Sequence, residues 1–238
     1  MKDLIASTST VQRLLEIIDY VSCQPPLHPR MILFSGISGA GKTVAAKYLL
    51  RANPKAVYYC ASPKLTVSSL ANELLHTLTG ESQYMRLSRV RRELIDRINQ
   101  DSIIFIIDEA DFLSFDCLEF LRSIHDACHS PLVLIGMSEF YIRLKRTPQL
   151  LSRMQYVACG KCDKIDAQMM RKISDVEIAE DLIDSMHASL NGNLRDIAIA
   201  IGYVEQRAIE LKKTVMTLAD WGNNFYLPIY RCPPSGKK

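Results

Sequence analysis

The chain contains no apolar run approaching the roughly 18 residues of a membrane span. Its opening, Met1 to Thr10, lacks both the basic start and the long apolar stretch of a secretory signal. A cytoplasmic protein with no membrane partner is expected. One-sided charge is missing too: 29 basic residues against 26 acidic give a formal net charge of +3. That balance is too mild to argue for nucleic-acid binding from composition, although it leaves room for a local basic surface. Internal repeats and low-complexity tracts are not evident. The seven cysteines are odd in number and have no secretory context, so they are expected as reduced thiols packed mostly in the core. Cys159-Gly160-Lys161-Cys162 is the one close pair, and no second C-x-x-C accompanies it to complete a zinc site. His125 and His129, one turn apart, are expected on a partly exposed helix face rather than as ligands.

What is present begins with Gly36-Ile37-Ser38-Gly39-Ala40-Gly41-Lys42-Thr43, which fits G-x-x-x-x-G-K-[ST] at every required position and follows the apolar run Met31 to Phe34. Triphosphate oxygens need many donors at short range. Glycines let backbone N–H groups approach them without an intervening Cβ, and the following helix offers its positive end. Gly36, Ser38, Gly39, Ala40 and Gly41 are therefore expected to cradle phosphates, with Lys42 reaching the β- and γ-phosphates and Thr43 ligating Mg²⁺.

A length of 238 residues, 48% of them apolar, suits one nucleotide-binding core plus a small appendage and excludes two large domains. Thr8 or Thr10 can cap a leading helix carrying Val11, Leu14, Leu15 and Ile18, and the prolines of Cys23 to Pro29 end it, so residues 1–29 read as helix and linker. Strands are predicted at Met31–Ser35, Ala56–Cys60, Ile103–Asp108, Leu132–Gly136 and Gln155–Ala158. They alternate with helices near Lys42–Arg51, Val67–Leu78, Tyr84–Asn99, Cys117–Cys128 and Glu139–Lys145. Such alternation predicts an α/β core over residues 30–162, a parallel sheet flanked by helices. After Cys162 the strand pattern stops, and helices near Asp175–Leu190 and Leu194–Leu218 predict a small helical lid over 163–220. The tail, 221–238, holds Trp221, Phe225, Tyr226 and Tyr230 among prolines and is not expected to form a regular element.

Ile103 to Ile107 followed by Asp108-Glu109 is an apolar strand ending in two acids, the Walker B pattern. Asp108 is expected to hold Mg²⁺ through water, and Glu109 to orient or activate the attacking water. Asp108-Glu109-Ala110-Asp111 also spells a helicase tetrad, but a second motor domain has no room in this length. Two arginines stand in further suggestive places: Arg153 in Leu151-Ser152-Arg153-Met154 before the last predicted strand, and Arg195 in Gly192-Asn193-Leu194-Arg195 at the start of a lid helix.

With these motifs the sequence resembles AAA+ ATPases, a resemblance implying a P-loop AAA+ core followed by a helical lid. It also implies that Arg153 acts on a neighbouring subunit's γ-phosphate and that Arg195 touches phosphate within its own subunit, each stabilising charge in the transition state. Within that group the sequence from about Thr10 to about Ile201 is similar to the transposon target-selection ATPases that include the B protein of phage Mu. The likeness runs through Ile106-Ile107-Asp108-Glu109-Ala110-Asp111, Leu118-Glu119-Phe120-Leu121-Arg122 and Leu132-Val133-Leu134-Ile135-Gly136. It implies an ATPase that assembles on double-stranded DNA without sequence preference, as a homo-oligomer or filament, and directs a DDE transposase to its target. Two departures are visible. Where the family places Asn or Thr after the fourth strand, this chain has Met137, so either Ser138 takes that role or hydrolysis is slow. The residues before Met31 also leave no room for the Mu protein's N-terminal helix-turn-helix, so DNA contact is expected from the core.

For that contact, a helix over Tyr84–Asn99 would put Leu87, Val90, Leu94 and Ile98 on one face and Arg86, Arg89, Arg92 and Arg97 on another, tempered by Glu93 and Asp96. Arginines against phosphates give salt-sensitive, sequence-independent binding. Lys64 is a further candidate. Two other functions fit the same motifs: a replication-initiation or helicase-loading ATPase, and a nucleotide-dependent interaction module with negligible turnover, which Met137 favours.

Overall fold

Short runs of β-branched and apolar residues become five parallel strands in a computed structural model of the protein, which describes residues 5–25, 28–81, 84–222 and 225. The first of two compact units, Ser9–Gly160, contains in chain order α1 (Ser9–Cys23), β1 (Met31–Gly36), α2 (Lys42–Ala52), β2 (Ala56–Cys60), α3 (Val67–Thr79) and α4 (Leu87–Asp101). It continues through β3 (Ile104–Asp108), α5 (Phe115–Cys128), β4 (Leu132–Gly136), α6 (Ser138–Leu144), α7 (Pro148–Leu151) and β5 (Met154–Cys159). The strands lie in the order β2-β3-β4-β1-β5, every neighbouring pair parallel.

A parallel sheet must be covered on both faces, and the period-two alternation of its strands divides their side chains between two cores. Met31, Leu33, Phe105, Ile107, Leu132 and Leu134 join Leu70 and Leu74 of α3, Val90 and Leu94 of α4, and Leu118 and Leu121 of α5. The alternate residues Ile32, Phe34, Ile104, Ile106, Val133 and Ile135 join Val11, Leu14 and Ile18 of α1 and Ala45, Ala46 and Leu49 of α2. Strands β1, β3 and β4 are buried along their whole length, which is why they read as continuous apolar runs.

Helix ends follow local chemistry. Thr66 and Ser114 cap α3 and α5, their hydroxyls accepting from the N–H groups of Ser69 and Cys117. The Ser114 cap starts α5 two residues before the predicted Cys117. The expected helix over Tyr84–Asn99 is corrected to Leu87–Asp101, because Arg86 is extended at its cap (φ −63°, ψ 141°). The stripe it buries is Val90, Leu94 and Ile98, whereas Leu87, expected on that face, is 37% exposed. His125 is also corrected. It is buried, not on an exposed face, and its ring meets the Ser130 carbonyl at 3.0 Å from Nδ1.

The second unit comprises residues 5–8 and those from 161 onward: α8 (Lys164–Met170), β6 (Glu177–Ile178), α9 (Glu180–Ser189), α10 (Leu194–Leu211), β7 (Val215–Met216) and α11 (Leu218–Trp221). Strand pairing does not stop after Cys162, contrary to expectation, since β6 and β7 pair in parallel through Glu177 with Val215 and Ile178 with Met216. Two-residue strands are too short to leave a periodic trace. The expected helix from Asp175 is held open at its start because Glu205 accepts from the Ser174 hydroxyl and the Asp175 N–H. The expected helix to Leu218 ends at Leu211, where Lys212 turns left-handed at φ 53°. Leu182, Ile183, Met186, Ile197, Ile201 and Val204 form this unit's core. Phe225 is buried in it and stacks on Trp221 at 5.2 Å. Tyr226 and Tyr230 lie outside the described residues.

Six described cysteines are free thiols; Cys117, Cys159 and Cys162 are buried, while Cys23 and Cys60 are exposed. Burial pushes the Cys159 thiol up to about 11 and the Cys162 thiol up to about 12, so neither is a ready thiolate at neutral pH. Among the described residues no helix is long and apolar enough to cross a membrane.

Burial holds the His125 ring below its ordinary value, so as pH falls the unfolded chain takes up a proton that the folded chain refuses. Stability contributed by the neutral ring is therefore lost below about pH 6.5. Thermal melts from about pH 7.5 down to about 5.5 are expected to show a falling midpoint, and His125→Gln to flatten part of that slope.

Candidate functional site

The registers bring the motif residues to one edge. Cys60 of β2 lies beside Asp108 of β3, Ile107 beside Leu134 of β4, and Ser35 of β1 beside Gly136. The carboxyl ends of four strands thus form one rim, the place where open α/β sheets bind ligands. β1 gives onto the phosphate loop there. Gly36 is buried, and a Cβ on it would lie 1.9 Å from the Cys159 carbonyl oxygen of β5. Overpacking against side chains costs about 1–3 kcal/mol, but here the obstacle is backbone and has nowhere to yield. Gly39 and Gly41 adopt left-handed conformations at φ 78° and 84°. Gly41 is the N-cap of α2 and offers no side-chain cap, so the first N–H groups of α2 keep their capacity for an external acceptor.

Lys42 opens α2 and folds back over the loop, Nζ donating to the Gly36 and Ile37 carbonyls at 2.8 Å each. Burial lowers its pKa, opposed by Cys159, Asp108, Asp111 and Glu109. Thr43 follows in the same turn, half-buried. These backbone donors, one ammonium and one hydroxyl fit a nucleotide's phosphates, and the Thr43 hydroxyl with the Asp108 carboxylate supplies the oxygen ligands Mg²⁺ prefers.

Asp108 is buried with both carboxylate oxygens engaged: the Glu109 N–H donates to Oδ1 at 2.8 Å and the Tyr58 hydroxyl to Oδ2 at 3.0 Å. Burial first and the Asp108 charge second push the Tyr58 hydroxyl pKa up. Sequence reasoning misses Tyr58, since a tyrosine in an apolar strand carries no motif. Glu109 is exposed in a left-handed conformation at φ 53°, which turns the chain sharply after the buried strand.

Asp111 closes the site from the other side. Its Oδ2 accepts the Met137 N–H at 2.9 Å, and Arg143 donates to its carbonyl at 2.8 Å and to that of Leu113 at 3.0 Å. A Cβ on Gly136 would meet Asp111 Oδ2 at 2.7 Å, so the close approach requires glycine. Met137 sits against the phosphate loop, its sulfur 3.9 Å from Lys42 Nζ. Ser138 is the first residue of α6, half-buried. Arg143 also stacks over the Phe140 ring at 4.9 Å.

The arginines are not all at this rim. Arg153 precedes Met154, which pairs with Met31 at the start of β1, so it lies at the opposite end of the sheet from Gly36. Its Nε donates to Asp126 at 3.0 Å. Arg195 belongs to the second unit, in the first turn of α10, where Asn193 caps its N–H. Arg86, Arg89 and Arg92 are exposed, and no ion pair among the described residues engages them. Arg97 instead pairs with Glu93 at 3.7 Å, and Arg91 is tied to Ser123. Lys64 is exposed at φ 65° in the turn between β2 and α3.

A family model described as an AAA domain matches residues 27–144. The Mu-like prophage FluMu DNA transposition protein B of Haemophilus influenzae is 25% identical over 80% of this chain and 68% of its own length. The ATP-dependent target DNA activator B of Escherichia phage D108 is 29% identical over 68% of this chain and 53% of its own. Among solved structures, Cdc6p of Pyrobaculum aerophilum aligns at a TM-score of 0.64 and 14% identity, covering 88% of this chain and 64% of that one. ORC2 of Aeropyrum pernix aligns at 0.61 and 13%, covering 91% and 66%; at such identities the likeness is one of fold. The chain therefore has the AAA+ P-loop fold and is similar in sequence to the transposition B proteins of Mu-like phages.

Proposed function

We propose that the protein binds ATP with Mg²⁺ at the rim formed by the phosphate loop, Asp108 and Met137, assembles with further copies on double-stranded DNA, and directs a DDE transposase to that DNA. The observation that carries the reading is the shared rim, where Lys42, Thr43, Asp108 and the uncapped start of α2 stand around one loop. The relatives' names, one a DNA transposition protein and one an ATP-dependent target DNA activator, support the biological setting.

In this reading the loop amides from Ser38 to Thr43 hold the phosphates, and Lys42 exchanges its two carbonyl acceptors for phosphate oxygens. The Thr43 hydroxyl and, through water, the Asp108 carboxylate hold Mg²⁺, which supplies charge neutralisation at the phosphates. Tyr58 and the Glu109 N–H fix the Asp108 carboxylate, leaving lone pairs on each oxygen for water. Exposed Glu109 orients the attacking water and takes its proton. By the family resemblance Arg195 is assigned to phosphate within its own subunit and Arg153 to that of a neighbour. Hydrolysis then takes the assembly apart.

A second reading is a nucleotide-dependent interaction module with little turnover. It is favoured by the Met137 thioether beside Lys42, a poor group for orienting water, with Ser138 the nearest hydroxyl to take that role. DNA contact falls to Arg86, Arg89 and Arg92 of α4, with Lys64, because these cations are exposed and available to phosphates.

Electron microscopy of the protein on duplex DNA, with and without a non-hydrolysable ATP analogue, tests the leading reading: filaments or rings are expected only with the nucleotide. A nucleotide-bound monomer indifferent to DNA would remove it. Glu109→Gln is expected to leave ATP affinity unchanged and hold the DNA-bound assembly together, so normal disassembly by light scattering would take Glu109 out of the hydrolytic step. Substituting Arg89 and Arg92 together by alanine is expected to weaken binding equally across DNA sequences. It should also flatten the slope of log affinity against log salt by about 0.9 for each phosphate that the variant no longer neutralises.

A further inference from the structure

Arg153 has an anchored side and an open side. Its Nε donates to both oxygens of Asp126, at 3.0 and 3.2 Å, and its Nη1 donates to the Gln149 carbonyl at 2.9 Å. No hydrogen bond among the described residues engages Nη2, and the side chain is 38% exposed. Asp126 is itself held. Its Oδ2 accepts from Arg122 Nη1 at 2.8 Å, and Arg122 pairs with Glu119 at 2.7 Å. Glu119, Arg122 and Asp126 recur at helical spacing along one face of α5, so a row of alternating charge ends on Arg153. Exposed pairs of this kind add little to stability; what this one fixes is a direction. A guanidinium gripped at Nε and one Nη presents its remaining N–H groups as a fork to a planar or tetrahedral oxyanion.

The acceptor cannot be the chain's own nucleotide. Arg153 stands one residue before the Met154–Met31 pair, while Gly36 pairs with Cys159 at the far end of the same two strands. At about 3.3 Å per residue the two are about 20 Å apart along the sheet, beyond the reach of an arginine side chain. A phosphate group meeting this fork comes from another molecule.

We infer that Asp126 is the positioning residue for Arg153, holding its guanidinium so that the free edge meets the nucleotide phosphates of a second copy of this chain. The inference rests on the proposed ATP site and names what prepares its partner surface. A head-to-tail contact of this type joins unlike faces and propagates into rings or filaments. Asp126 touches no substrate, and its effect passes through the aim of Arg153.

The test uses the full chain and three single variants, Arg153→Ala, Asp126→Asn and Glu109→Gln, alone and in pairwise mixtures. The readouts are ATP turnover, nucleotide-dependent self-association by sedimentation, and affinity of dilute protein for a fluorescent ATP analogue. Asp126→Asn is expected to lower turnover between about tenfold and a hundredfold, the scale of a misplaced group, and to weaken self-association alongside Arg153→Ala. Analogue affinity should remain within about twofold of the unmodified protein. Asp126→Glu is expected to restore much of the loss. In mixtures, Asp126→Asn should regain activity with Glu109→Gln, which brings an intact Arg153, and not with Arg153→Ala. Recovery with Arg153→Ala, or an Asp126→Asn protein that turns over and assembles normally, overturns the positioning role. Normal turnover and assembly by Arg153→Ala would instead remove the trans reading itself. Thermal melts check folding, and Asp126→Ser gives the same comparison should the Asn variant melt early.

Discussion

The site depends on how closely β1 lies against its neighbours. Gly36 leaves no space between its Cα and the Cys159 carbonyl, and that contact aligns the end of β1 with the end of β5. From there the chain must turn immediately, and the left-handed Gly39 and Gly41 make the turn that sets α2 off with its first N–H groups uncapped. A side chain at any of these points would shift the loop or fill it. The loop's shape is thus a consequence of backbone packing in the sheet.

Strand order then decides which groups share the rim. β4 lies between β1 and β3, so the residue after β4 is placed between the loop and the Walker B acids. Position Met137 has two neighbours for that reason: its N–H is held by Asp111 and its sulfur lies near Lys42. Burial raises the Asp111 pKa, against the Met137 N–H, which lowers it. Arg143 draws the Asp111 backbone toward α6, and Gly136 lets the carboxylate in. Asp111, Gly136 and Arg143 fix the backbone while the side chain of Met137 is left as the variable element. In the proposed function this side chain, beside Lys42, is the one that bears on turnover.

The phosphate loop and the acid-tipped strand are legible in the sequence because both chemistries demand fixed residue types at fixed spacing. Each of the five sheet strands is predicted to within a residue or so at either end, since buried parallel strands are continuous apolar runs between turns. Other features have no such signal. Tyr58 is one of two tyrosines in β2, and only the register with β3 shows that its hydroxyl reaches Asp108. β6 and β7 pair through only two residues each, and the Glu205 contact that holds Ser174 and Asp175 ahead of β6 is made across the fold rather than along the chain. The burial of His125 escapes sequence reasoning because its spacing from His129 says nothing of what packs above it. The arginines of α4 read as a stripe, but spacing cannot show that Arg97 is taken by Glu93 while Arg89 and Arg92 are not.

Lys42 connects these observations to a change of state. Its ammonium satisfies two loop carbonyls, and burial lowers its pKa by disfavouring the charge. In the proposed function, phosphate oxygens at the loop add negative charge beside a group that desolvation disfavours, so they replace the carbonyl acceptors favourably. The carbonyls of Gly36 and Ile37 lose their donor in that exchange. Ile37 also donates its N–H to the Cys159 carbonyl at 3.3 Å, which ties the first residue of the loop to β5. Arg153 lies at the start of β5 and its Asp126 anchor on α5. In the proposed function the β1–β5 strand pair therefore carries both surfaces of the subunit contact, the phosphate loop at one end and Arg153 at the other.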